Sequence, residues 1–174
     1  TWLCLQYSGA TPMDPHIAQL RNLFLTNPAW LDAAKNIKDG AQSRVVFSHV
    51  SGDFHMLRKD GKSLLLEGKA SDPDFAFRFT PAAIERLSRV EGANLADFAV
   101  ELFDCIVSED PELQVGLRIL SSFPKLFMRG YVTLLMKGGP RVLAYGASRG
   151  VTSVGDLRRF LKQAQASDPR WENL

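Results

Sequence analysis

Few residues in this 174-residue chain have types that invite chemistry: three histidines, two cysteines and one glycine-flanked serine. His49, Asp53 and His55 fall in one short stretch, with the imidazoles on either side of a turn at 51–53 that can bring them together. A transition-metal site needs further nitrogen, sulfur or carboxylate ligands at a recognised spacing. No Cys or Glu completes such a set, so these read as structural histidines on a half-exposed strand. Gly146-Ala147-Ser148-Arg149-Gly150 fits the nucleophile-elbow pattern, and it follows a predicted strand and precedes a predicted helix, as an elbow requires. A hydrolase of that kind needs a histidine after its serine, and none follows Ser148. The same run lacks the P-loop lysine and the dinucleotide glycine spacing. Asp72 and Asp74 flank a proline turn, and Glu109 and Asp110 stand at an expected helix start, where negative charge favours the dipole. The expectation is no catalytic residue, no metal and no cofactor, and hence no enzyme.

Any functional group must be positioned by elements, and Pro, Gly and Asp punctuate the chain clearly. The organising stretch is DPDFAFRFTPAAIERL at 72–87, where a strand with Phe75, Phe77 and Phe79 on one face runs through Thr80-Pro81 into a helix. Before it, Asp14-Pro15 and Asn27-Pro28 each open a helix, the second ending by Gly40. From Ser43 the apolar period becomes two, which predicts strands over 44–50, 54–59, 63–69 and 74–79, largely antiparallel, with Asp60-Gly61 as a tight hairpin turn. Helices are predicted from Thr80-Pro81 to about residue 90 and over 94–107. Asp110-Pro111 is expected to open a third, presenting Leu113, Leu117 and Leu120. Strands at 131–136 and 142–145 then return, and Ser153 with Asp156 caps a closing helix.

The layout implies an α+β domain with a largely antiparallel five- to six-stranded sheet and helices packed on one face. One domain at 14–166, an arm at 1–13 and a polar tail at 167–174 account for the length. An apolar share of 45% and a charged share of 23% are those of an ordinary globular protein. Cys4 and Cys105 are far apart, and Cys105 lies in an apolar run, so both are expected reduced in a cytoplasmic protein. Residues 1–110 hold 11 basic and 15 acidic side chains, and residues 111–174 hold 10 and 4. Without consecutive charges or an Arg-rich arm, that basic back portion does not indicate nucleic acid; it reads as a solvated face. Arg129, Lys137 and Arg141 interrupt the best apolar run, so no spanning helix is predicted.

The middle of the chain is rich in large apolar side chains: Phe77, Phe79, Phe98, Phe103, Phe123, Phe127, Met128 and Met136. Composition favours a solid core, although an apolar cavity would be lined by the same residue types. The segment FPKLFMRGY at 123–131 sets Leu126, Phe127 and Met128 between Lys125 and Arg129, a pattern suited to transient contact with a membrane surface. A buried helical turn with basic residues at its rim fits it as well.

The order of elements and the phrases LLLEGK at 64–69, DPDFAFRFT at 72–80, PAAIERL at 81–87 and GYVTLL at 130–135 resemble the sterol carrier protein domain, over about 17–161. The segment between 97 and 129 is longer than that pattern, and the closing helix more polar. What the resemblance implies is noncatalytic binding or transfer of a fatty acyl, sterol-like or prenylated quinone precursor molecule in a cavity between sheet and helices. It carries across to Phe77 and Phe79 on the strand, Phe98, Leu102 and Ile106 on the helix, and Val132 and Leu134 on the late strand. Leu120 and Phe127 complete the expected ligand-binding set. The other reading is a protein-interaction or regulatory module on the same scaffold with a filled core.

Overall fold

The computed structural model describes residues 13–90, 94–153, 155–156, 158–160 and 162. The expected tail, and all of the expected arm but Met13, lie outside them. Asp14 caps α1 (Pro15–Thr26), its Oδ1 accepting from the His16 and Ile17 amides at 2.9 and 3.2 Å. Asn27 caps α2 (Pro28–Ala34), Thr80 caps α3 (Pro81–Ser88) and Asn94 caps α4 (Leu95–Ile106), each accepting from an amide of the first turn. All four caps stand where the Asx/Thr and proline signals put them, because a side-chain oxygen there satisfies an amide that has no partner inside the helix.

Five strands form one sheet in the order β3-β2-β1-β4-β5: β1 Gln42–Phe47, β2 Phe54–Lys59, β3 Lys62–Glu67, β4 Phe75–Phe79 and β5 Gly116–Ile119. The β2–β3 turn has both central residues at positive φ, Asp60 at 51° and Gly61 at 70°, the twist-matched hairpin turn. The sheet is mixed, because β4 crosses back to pair with β1 in parallel (Val45 with Phe77, Phe47 with Phe79) while the other pairs are antiparallel. The register places Val45, Phe47, Phe54, Leu65 and Phe79 on one face, where they meet Ile17 and Leu20 of α1, Ile84 and Leu87 of α3, and Phe98 of α4 in one apolar cluster. The fold class is α+β, with the helices on that face.

Three expectations after residue 110 are corrected. The helix expected from Asp110-Pro111 is instead β5. Leu113, Leu117 and Leu120 also suit a helix, but Val115, Leu117 and Ile119 alternate, and pairing Leu117 with Phe77 and Ile119 with Phe75 satisfies both backbone and apolar surface. The strand expected at 131–136 is helix α6 (Tyr131–Lys137), preceded by α5 (Phe123–Met128). That at 142–145 is part of helix α7 (Gly139–Ser148), in which Pro140 starts a helix rather than closing a turn between strands. Packing overrides the β-favouring composition of 131–135: in helical form Tyr131 and Leu134 together reach Ala34, Ile37 and Ala41. The approach needs Gly130, at φ 89°, since a Cβ there would lie 1.8 Å from the Asn36 carbonyl oxygen. Of the closing helix, 155–156, 158–160 and 162 are helical, and the Asp156 amide donates to Ser153 Oγ at 3.1 Å. Residues 154, 157, 161 and 163–166 lie outside what is described.

Candidate functional site

The inner face of the sheet is filled at one end and open at the other. Where β4 begins, Phe75 and Phe77 line a cavity of about 370 Å³ together with Leu117 and Ile119 of β5 and Ser43 of β1. Across from them the α4 stripe of Phe98, Leu102 and Ile106 closes one side, the i, i+4, i+8 spacing setting all three on one helix face. Trp30 of α2, Leu126 of α5, Val132 and Leu134 of α6 and Val142 of α7 complete the apolar wall. The volume lies in the lower part of the roughly 300–1,000 Å³ span of small-molecule sites, whereas protein interiors hold few voids larger than a water molecule.

A buried carboxylate fastens the roof of this cavity. Asp74, fully buried, accepts from Arg129 Nη1 at 2.7 Å, Ser121 Oγ at 2.7 Å and Tyr131 Oη at 3.2 Å. Its backbone carbonyl accepts from the Leu120 and Ser121 amides. Asp72 accepts from Arg129 Nη2 at 2.8 Å and from Lys125, the latter contact first among the causes that hold its carboxyl below the usual range. Burial, then the Asp74 charge, push the Tyr131 phenol up, so it stays protonated and donating. The two aspartates that flank the proline turn thus pin β4 to α5 and α6. Lys125 and Arg129, expected at the rim of a buried helical turn or of a membrane-contacting segment, are held in these ion pairs.

The expected ligand-binding residues divide. Phe77, Phe98, Leu102 and Ile106 face the cavity from the expected strand and helix; Val132 and Leu134 face it too, from helix α6 rather than from a strand. Phe79 is 4% exposed inside the filled core and away from the cavity wall. Leu120 and Phe127 stand 46% and 63% exposed and are likewise not part of it. Sequence reading passed over Arg58. The parity of β2 carried the signal, since Phe54, Met56 and Arg58 must share a face, and Arg58 lines the cavity at 6% exposure.

The chemistry-bearing residues lie elsewhere. His55 is not with His49: it pairs across the sheet with Arg44, and its Nδ1 is 2.8 Å from the Gly68 carbonyl. His49 meets Asp14 instead, Nε2 to Oδ1 at 3.0 Å, with the His16 ring edge-on at 5.2 Å. Asp14, His16 and His49 each place one donor atom within 4.8 Å of the others. However, the Asp14 oxygen already accepts two helix amides, and its bond from His49 holds its carboxyl below the usual range, so the trio reads as a capped helix start tied to a loop. Ser148 ends helix α7, with no strand before it, and its Oγ donates to the Tyr145 carbonyl at 2.7 Å. That is not an elbow. Cys105 is buried, and desolvation pushes its thiol up to about 11, so the nucleophilic thiolate is scarce at neutral pH.

Among the described residues no helix is long and apolar enough to cross a membrane. No protein-family model matches the chain, and no curated protein matches it in sequence. Among solved structures it is similar to one described as "UbiJ-SCP2 Ubiquinone synthesis protein", with 15% identity and a TM-score of 0.41 over 70% of this chain and 90% of that one.

Proposed function

We propose that the chain binds a hydrophobic small molecule without chemically altering it, and holds or transfers it in the cavity between the sheet and α4, α6 and α7. The observation that carries this reading is the cavity itself: about 370 Å³ walled by aromatic and aliphatic side chains beneath a roof tied down by Asp74. Fatty acyl, sterol-like and prenylated aromatic molecules all have surfaces suited to such a wall. Burial of a chain contributes about 0.8 kcal/mol per methylene, so about a dozen groups supply roughly 10 kcal/mol gross, reduced by the ordering of chain and side chains. Phe77, Phe98, Leu102, Ile106, Val132 and Leu134 are the proposed contacts.

Delivery from a membrane surface fits the apolar exposure nearby. Phe127 and Met128 on α5 and Met136 on α6 are 63%, 67% and 69% exposed. An interaction module with a filled core accounts for none of the open half of the sheet. Native mass spectrometry of gently purified protein is the test, with a small-molecule adduct expected, or stoichiometric uptake of an added fatty acid. A homogeneous unliganded species that also ignores added fatty acids overturns the proposal.

A further inference from the structure

The cavity wall is apolar but not uncharged, and its charge has one sign. Among the described residues its cations are Arg58, Arg158 and Lys162, and no aspartate or glutamate lines it. Arg158 and Lys162 are exposed, whereas Arg58 is 6% exposed on the inner face of β2. Among the described residues Arg58 forms no ion pair. Its Nη1 donates to Ser63 Oγ at 3.2 Å, and its Nε is buried with no acceptor. The charge of Asp39 reaches it without an ion pair, and the two Asp39 carboxylate oxygens accept from the Asp60 and Gly61 amides at 3.1 and 3.3 Å. A second donor in the same wall, Trp30 Nε1, is likewise buried without an acceptor.

Burying a charge without a partner is strongly unfavourable, and an arginine left so is a group whose counterion is missing. The guanidinium presents parallel N–H groups in a rigid fork that matches the two oxygens of a carboxylate. One fork suits one planar monoanion. A phosphate monoester would bring more charge than a single buried cation balances.

We infer that Arg58 seats the carboxylate of an amphiphile inside the cavity, so that the ligand enters head first and the protein selects free fatty acids over uncharged lipids of the same length. This assignment rests on the carrier reading and narrows it from any hydrophobic guest to an acid. It also gives the cavity wall a division of labour. Arg58 fixes the head, while Phe77, Phe98 and Leu102 bury the chain.

The test is isothermal titration of the full chain with lauric acid and with dodecanol at neutral pH, for the wild type, Arg58→Met and Arg58→Gln. The wild type should bind the acid at least about tenfold more tightly than the alcohol, the scale of a hydrogen bond to a charged group. Both variants should bind the two probes alike. Arg58→Met should keep or raise the thermal midpoint of the unliganded protein, because it removes a buried charge, and lauric acid should then raise that midpoint by less than it raises the wild type's, and by no more than dodecanol does. Equal affinity of the wild type for acid and alcohol overturns the inference while leaving the carrier reading standing. So does a preference for the acid that survives Arg58→Met but is lost in Arg158→Ala with Lys162→Ala, which would put the head at the rim. A wild type that binds neither probe overturns the carrier reading, and this assignment with it.

Discussion

Phe79 and Phe77 lie two residues apart on one strand, point to the same side and stack at 5.9 Å, yet they belong to different environments. Phe79 is locked among Phe47, Ile84 and Leu87, with α1 and α3 pressed onto the sheet. Phe77 looks into open space bounded by α4 and α6. The difference lies in what covers each half. Over Phe79 the covering helices carry continuous stripes, Ile17, Leu20 and Phe24 on α1 and Ala83, Ile84 and Leu87 on α3, and fill the interface. Over Phe77, beside α4, the cover comes from the short helices α5 and α6, tethered by polar ties from Asp72 and Asp74. Ties between polar groups hold backbone at a distance without requiring that the space beneath be packed. One sheet face thus supports a structural half and a half with room for a guest.

Leu87→Ala, in the filled half, should cost about 3–5 kcal/mol in denaturant unfolding, since a 1% exposed leucine leaves a cavity that rigid neighbours cannot close. Equal losses from Leu87→Ala and from Leu102→Ala, on the cavity side, would erase the distinction. Asp74→Ala should cost about 3 kcal/mol, as expected when one partner of a buried ion pair is removed. It should also open the roof, so that ligand off-rates rise by more than Leu87→Ala raises them. Leu102→Ala itself should cost about 1–2 kcal/mol, near the transfer term alone, because the space beside it is already open.

Acid separates the two halves more gently. The Asp14, Asp72 and Asp156 carboxyls are all held below 3.8, Asp156 at about 2. A folded-state pKa below the unfolded one adds stability above the unfolded value, and that stability is lost as pH falls through the folded value. The thermal midpoint should therefore stay level with respect to these groups above about pH 4 and drop below it, with Asp72→Asn flattening part of the drop. A midpoint unaffected by pH between about 4 and 2 would contradict these contacts, which are hydrogen bonds from His49 at Asp14 and from Ser153 and Thr152 at Asp156, and ion pairs with Lys125 and Arg129 at Asp72. The smallest expected effect is Phe127→Ser, within about 0.5 kcal/mol on stability as for an exposed position, with weaker co-sedimentation with vesicles containing anionic lipid. Unchanged vesicle binding would remove α5 from the delivery step.

The first two-thirds of the chain was legible because local rules and tertiary needs agree there. Caps at Asp14, Asn27, Thr80 and Asn94 and the Asp60-Gly61 turn fall where their chemistry demands. After residue 110 they diverge. Leu113, Leu117 and Leu120 fit a helix as well as Val115, Leu117 and Ile119 fit a strand, and only the free edge of β4 decides between them. Tyr131 and Leu134 are equally ambiguous until Ala34 and Ile37 are in place. The crossing of β4 back to β1 lay beyond local pattern, since parity fixes faces and not partners. The α4 side of the candidate site was readable from Phe98, Leu102 and Ile106. Arg58 was missed because a cation on a strand is expected to face water.

The most direct measurement is equilibrium uptake of a fluorescent alkyl-chain probe by the wild type and by Ala99→Phe, a substitution in the α4 wall that projects a ring into the cavity. A guest-holding half predicts one probe per wild-type chain and loss of uptake in Ala99→Phe, with the thermal midpoint kept. Equal uptake by both proteins would place the probe on the surface and contradict the account.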